Sequence, residues 1–307
     1  MEGKLNYKMT GFDATSAATD TATDHINLAR DLSACNRKGF EHTTRKGVPL
    51  VYHCKMTVYR TFGVDRTNSS VAVIPSFAQS NWVTRNGAVK LHAAREAMFK
   101  NAGIKKSDRG RYDKTIRYGI TAHNQTWTVP IFTDGNATYT DMGEWDLSKI
   151  AIDQDTELVP TLFGPDFDET AATTGDSFNM MNAYLNSRRK IDLDDLPASH
   201  GAADHSILRS MFNVEDATDD ELQVIADDNQ DLPPYDQDNY KGTFTSAAGG
   251  DIAVLGNYGV VKDTVFFDVP FGLLTLTGVK TADSTDADLR DDIPFHIEVL
   301  GISEMEA

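Results

Sequence analysis

The hydrophobic pattern is clearest over residues 48–59, where Val48, Leu50, Tyr52, Cys54, Met56 and Val58 alternate with His53, Lys55 and Thr57. A period of 2 sends successive side chains to opposite faces, so this stretch predicts a half-buried β-strand with its even-numbered residues inside. Residues 71–74 predict a short, wholly apolar strand closed by Pro75. Further strands are predicted over 114–122, 125–132, 145–152 and 158–163, then over 242–246, 251–255, 260–269, 273–278 and 294–302, with Asn, Gly, Asp and Pro turns between them. In the last of these Phe295, Ile297, Val299 and Gly301 alternate with His296, Glu298 and Leu300. Many short strands joined by turns imply an all-β sandwich or barrel.

Helical periodicity is confined to a few places. Over residues 88–102, Leu91, Ala94, Met98 and Ala102 form one stripe, Asn86 or Gly87 can cap the start, and Gly103 stands where a left-handed cap is favoured. Lys90 and Lys100 lie off that stripe. Short helices are predicted over 177–187 and 218–227, the second capped by Thr218 or Asp219 with Leu222 and Ile225 turned inward. Residues 215–238 hold 10 acidic side chains and no Lys or Arg, so 164–241 reads as an acidic, partly helical insertion between strands.

Charge adds a second kind of order. The net −17 of the 307 residues conceals +10 in residues 1–118 and −27 in the remainder. Positive charge peaks at Arg85, Lys90, Arg95, Lys100, Lys105, Lys106, Arg109, Arg111, Lys114 and Arg117, opposed there only by Glu96, Asp108 and Asp113. Such polarity suits a protein whose copies meet through complementary patches, or one with a basic face turned to a particle interior. Tyr112 and Tyr118 interleave with the cations, as in single-strand nucleic-acid binders, but the negative total opposes long-range attraction to nucleic acid. A solvated hairpin that pairs with acidic residues of a neighbour is the preferred reading of the basic stretch. The segment before the first long strand, rich in Thr, Ala and Asp, is not an arginine-rich genome-condensing tail.

Candidate chemistry is sparse. The sequence contains no phosphate-binding loop, no G-x-G-x-x-G, no G-x-S-x-G and no H-E-x-x-H. Its two cysteines, Cys35 and Cys54, offer neither a disulfide framework nor a four-cysteine zinc site, and Cys54 reads as core. His200 and His205 are poorly spaced for a shared metal on a helix. Carboxylates cluster at Asp166–Asp168, Asp192–Asp195, Asp227–Asp228 and Asp236–Asp238, without the spacing of a calcium loop. No cofactor is expected; a structural calcium is the one ion such runs would suit. A glycosidase would need two of these acids facing each other across a groove. Trp82, Trp127 and Trp145 lie in or beside predicted strands and are expected to pack. No apolar run reaches the roughly 18 residues of a membrane span, and the start lacks a leader pattern, so a soluble, untargeted chain is expected.

Four short motifs, Asp31-Leu32-Ser33 with Asn36-Arg37, Gly143-Glu144-Trp145-Asp146, Leu232-Pro233-Pro234-Tyr235-Asp236 and Glu298-Val299-Leu300-Gly301, give the chain its family likeness. In their order it resembles coat proteins of tailless icosahedral viruses known largely from aquatic environmental sequences. The resemblance implies an antiparallel jelly-roll subunit that self-assembles into a virus shell inside the host cell, with further copies of itself and other virion proteins as partners and no catalytic role. The missing basic arm leaves open whether genome, membrane or protein lies beneath the shell. On this reading residues 1–47 are an N-terminal arm and lead-in, and 48–307 form one elaborated jelly roll. A double jelly roll, the alternative, needs about 16 strands. The rival function is a β-sandwich module that binds glycans or adheres to surfaces.

Overall fold

The computed structural model describes residues 3–9, 19–59, 70–110, 113–122, 125–131, 145–151, 157–164, 177–187, 262–281 and 293–306. Its framework is all-β, built from two antiparallel sheets. One runs β1 (Gly3–Met9), β10 (Ile293–Glu304), β3 (Leu50–Tyr59), β8 (Lys262–Pro270) from edge to edge; the other runs β2 (Thr19–Asn27), β9 (Leu273–Thr281), β4 (Ser70–Phe77). Register aligns the apolar faces into layers. Leu5 stands beside Ile297, Ile297 beside Met56 and Met56 beside Val265, while Val299, Cys54 and Phe267 form the next row. Ala22, Ile26, Val73, Phe77, Leu274 and Leu276 of the second sheet complete this core. Of the even-numbered residues expected inside, Tyr52, Cys54, Met56 and Val58 are buried, whereas Val48 and Leu50 are half-buried and the odd-numbered Val51 is buried. Thr57 is buried as well, and its hydroxyl meets that of Thr264 at 3.1 Å across the strand pair.

The reading of residues 1–47 as an arm and lead-in is corrected. Gly3–Met9 is the edge strand β1, with Leu5, Tyr7 and Met9 inside, and Thr19–Asn27 is β2. Next comes helix α1 (Leu28–Asn36), capped by Asn27, whose Oδ1 accepts from Arg30 N at 3.0 Å. The helix buries Leu28, Ala29 and Leu32 in the sandwich core. A segment without regular structure, residues 125–131, runs along the outside of β1 and β2. Thr128 N donates to His25 O at 2.8 Å and Ile131 N to Asn6 O at 2.6 Å, which occupies part of two strand edges that would otherwise be open.

A second core forms at one end of the sandwich. Helix α2 spans Trp82–Asn101 and begins six residues before the predicted start, because Asn81, not Asn86 or Gly87, supplies the cap. Its Val83, Ala88, Leu91 and Ala94 pack with Ile116, Tyr118, Ile120 and helix α3 (Met180–Asn186). A small sheet of β5 (Ile150–Ala151), β6 (Glu157–Thr161) and β7 (Ser177–Asn179) adds Leu158 and Phe178; β6 and β7 are parallel. The strands expected over 114–122 and 125–132 are not formed: the first makes only a bridge from Gly119 to Thr161, and of the strand expected over 145–152 only Ile150–Ala151 pairs. Pro75 lies inside β4 instead of closing it. Among the described residues β4 pairs only with β9, and an edge strand accommodates the missing N–H. The helix expected over 218–227 and the strands over 242–246 and 251–255 lie outside the described residues.

The two cores meet at the turn between β8 and β9, which carries the chain from one sheet to the other. Phe271 adopts φ 60° and Gly272 φ 68°, and a Cβ on Gly272 would lie 2.9 Å from the Tyr52 ring. Only glycine fits there without displacement. Phe271 accepts the uncommon left-handed backbone while its ring is fully buried 5.0 Å from Tyr118, and its N–H donates to Leu50 O at 2.7 Å.

Candidate functional site

The ten cations singled out in the sequence do not form one patch of free charge. Arg95 is buried, ion-paired with Asp113 and set over the Phe99 ring at 4.8 Å. Arg109 covers the same ring at 4.7 Å and grips Glu96 through two bonds of 2.6 and 2.9 Å. Those bonds hold the Glu96 carboxyl well down, at about 2. Phe99 is thus shared by two guanidinium groups that are both neutralised within the chain. Arg117 lies over Trp145 at 4.4 Å, Arg85 donates to Met305 O at 3.3 Å, and Lys90 donates to Ser187 Oγ at 2.7 Å. Lys106 reaches Glu96 at 3.5 Å but is 86 % exposed; Lys100, Lys105 and Lys114 are exposed too, and Arg111 lies outside the described residues. Arg95 and Arg109 therefore knit α2 to the loop after it, and exposed lysines carry the remaining charge outward.

Lys114 belongs to a different feature. It and Thr115 stand across from residues 38–45 at a cleft of about 540 Å³, close to where β3 begins and β10 ends. Among the described residues Lys38 and Arg45 are its other cations and Glu41 its single acid, and Thr43, Thr44 and Thr115 contribute hydroxyls. The Glu41 carboxylate is engaged by the Thr115 hydroxyl, and Glu41 O accepts from Tyr52 Oη at 2.6 Å. The Thr43 side chain is 1 % exposed and its hydroxyl makes no hydrogen bond among the described residues.

On the outer face of the larger sheet, His53 Nδ1 lies 2.7 Å from Asp268 Oδ1 and Nε2 lies 2.9 Å from Ser303 Oγ. These are the hydrogen bonds of a nucleophile, base and acid in acyl transfer. Catalysis also needs donors aimed at a developing oxyanion and a site that excludes water. Here the three residues stand on three neighbouring strands, with β3 paired to β10 on one side and β8 on the other, where the neighbouring backbone is committed to ladders, and His53 and Asp268 are 40 % and 62 % exposed. The geometry reads as a cross-strand clasp. Ser303 is accordingly expected to resist labelling by a fluorophosphonate, measured by mass spectrometry; stoichiometric labelling that His53→Ala abolishes would make this an acyl-transfer site.

The motifs behind the family resemblance do structural work where they are described. Asp31 is buried and accepts from Tyr7 Oη at 2.7 Å and Arg30 Nε at 2.8 Å, which ties α1 to β1. Burial raises its carboxyl to about 6, against the pull of Arg30 and Tyr7. Leu32 is in the core, Ser33 Oγ accepts from Phe40 N at 2.9 Å, and Arg37 ends the helix at φ 51°. Trp145 packs 5.9 Å from His42, and Val299 and Gly301 flank a bulge in β10. Residues 232–236 lie outside the described residues.

His42 is the group that sequence reasoning missed. Fully buried, it links β2, α1 and the second core: Tyr118 N donates to its Nδ1 at 3.0 Å, and its Nε2 lies 3.2 Å from Asn27 Oδ1. The pairing fixes the neutral tautomer with the proton on Nε2. Burial, with a smaller contribution from Arg117, lowers its pKa to about 3. Nothing in the run Glu41-His42-Thr43 signals this role, since both partners are distant in sequence. No group of three metal-ligating side chains occurs among the described residues, and the acidic runs at 166–168, 192–195, 227–228 and 236–238 lie outside them. No protein-family model, curated protein or solved structure matches this chain.

Proposed function

We propose that this chain is a coat subunit whose function is symmetric self-association into a closed icosahedral shell, and that its two sheets are a single jelly roll. The carrying observation is strand order. A jelly roll is a long antiparallel hairpin wrapped into two sheets, so its eight strands, numbered along the chain, lie side by side as 1-8-3-6 and 2-7-4-5. Setting β1, β2, β3, β4, β8, β9 and β10 against strands 1, 2, 3, 4, 6, 7 and 8 reproduces the neighbours 1-8, 8-3, 3-6, 2-7 and 7-4. The remaining partner, strand 5, would stand beside the edge of β4 that is unpaired among the described residues.

A further observation supports a building block over an enzyme. The side chains with chemical potential are spent inside the fold, as with Arg95, Arg109 and His42, and the nucleophile-like Ser303 stands on an open sheet face. Among the described residues no helix is long and apolar enough to cross a membrane. Purified protein is expected to form uniform closed particles in negative-stain microscopy and to elute as a large assembly. Monodisperse monomers under all assembly conditions would overturn the coat reading and favour a glycan-binding or adhesive sandwich.

A further inference from the structure

We infer that the cleft between residues 38–45 and Lys114 receives an acidic segment from a second copy of this chain, an inference that rests on the coat-subunit reading and names one of its contacts. Lys38, Arg45 and Lys114 line the cleft and make no ion pair with a described residue, whereas its one acid, Glu41, is engaged by Thr115. An anionic occupant is therefore called for. The buried Thr43 hydroxyl supplies the second observation, a polar group without a partner on a wall of the same cleft. Leaving such a group unmet is unfavourable, and a rotation of the Thr43 side chain would turn the hydroxyl from the wall toward an incoming carboxylate.

The choice of occupant follows from what the cleft lacks and what the chain supplies. Nucleic acid binds such grooves by stacking bases on aromatic faces. The rings of Phe40 and Tyr52 at this cleft are buried, and Lys38 covers Phe40 at 5.5 Å, so the described residues offer no stacking platform. The chain itself carries residues 215–238, with 10 acids and no Lys or Arg. Many copies in one shell would present that stretch at high local concentration. The cleft lies where β3 begins and β10 ends.

Zero-length carbodiimide cross-linking of assembled full-length protein, prepared from a mixture of nitrogen-15-labelled and unlabelled subunits and freed of nucleic acid by nuclease, tests this directly. Mixed-isotope cross-links from Lys38 or Lys114 to carboxylates within 215–238 are expected. Lys38→Glu/Arg45→Glu/Lys114→Glu should abolish them and lower the salt concentration at which particles dissociate, since exposed pairs are screened by salt. Thr43→Val keeps the side-chain shape, so it should reduce cross-link yield about threefold with an unchanged or higher melting temperature. A merely structural Thr43 would lower that temperature instead. Particles that form without mixed cross-links at these lysines would overturn the inference and leave the coat reading intact. Cross-links of Lys38 and Lys114 to nucleic acid in untreated particles, in place of protein, would overturn it in favour of a genome contact. If the protein stays monomeric, the coat reading fails on its own; a synthetic 215–238 peptide that binds wild type and not the triple variant would still support the cleft, and absence of binding would overturn it.

Discussion

Met56→Asp is expected to abolish soluble folding, while Lys55→Gln, one residue away, is tolerated. Met56 is 1 % exposed on the central strand β3, flanked by Ile297 on β10 and Val265 on β8, with Leu5 one strand further on. A carboxylate there faces an apolar layer of Ile297, Val265 and Leu5. An ionised group placed so costs several kcal/mol even after its pKa rises, against a total stability of about 5–15 kcal/mol for an ordinary domain. Lys55 points the other way, toward Glu298 at 3.2 Å, and when it is replaced Lys4 at 3.5 Å still faces that carboxylate, so little is lost. Soluble yield and far-ultraviolet circular dichroism of the two variants measure the contrast. Equal yields would mean that the strand lies in the opposite phase.

That contrast was legible from alternation alone, because β3 is flanked by strands on both sides and one of its faces is apolar throughout. The edge strands carry weaker patterns for a physical reason. In β1 only Leu5, Tyr7 and Met9 alternate with Lys4, Asn6 and Lys8, and in β2 the inner positions Ala22 and Ile26 bracket Asp24, a half-buried carboxyl whose pKa burial raises. Short edge strands with charged positions read as loop, and such charges also discourage wrong pairing. Residues 114–122 give the reverse lesson. Ile116, Tyr118 and Ile120 are buried at a spacing of 2, yet Gly119 N donates to Pro160 O and Tyr118 N to the His42 ring, so no ladder forms. Period 2 reports which side chains face inward; it does not report where the backbone bonds go.

Gly87 shows how one residue can mislead in the other direction. As a possible cap it shortened the predicted helix; in the structure it lies inside α2, where a Cβ would meet Tyr184 of α3 at 3.4 Å. Its value is close helix approach rather than termination. The candidate sites were legible only in part. Lys114 was singled out for its charge, but its company in the cleft comes from residues some 70 positions earlier. The His53, Asp268 and Ser303 clasp depends on the register of three strands whose members are 215 and 250 positions apart. Charge can be read along a chain, whereas convergence is a property of topology.

The second large effect is expected with acid, and it isolates His42. In the native state this imidazole binds a proton only near pH 3, whereas an unfolded histidine does so near 6.5. As pH falls from 6.5 toward 3 the unfolded chain takes up a proton that the native state refuses, so stability is lost at up to about 1.4 kcal/mol per pH unit. Asp31 acts with the opposite sign. Its native value of about 6 exceeds that of an unfolded carboxyl, so its contribution is fully present below about pH 3.8 and is lost as pH rises through 6. Between about pH 4 and 6 the two nearly cancel, and wild-type stability should change little through these groups. His42→Gln removes one of them. Urea unfolding of wild type and variant at half-unit steps from pH 7.5 to 4 should give a difference that is constant above pH 7 and shifts in favour of the variant with every step below 6.5. Glu96, His25, His92 and Asp31 titrate in both proteins and drop out of that difference. The variant will be less stable at neutral pH, because Tyr118 N and Asn27 lose their ring partner. Parallel curves across the whole range would mean that His42 is freely protonated in the folded protein, and its place as the neutral link between the two cores would be wrong.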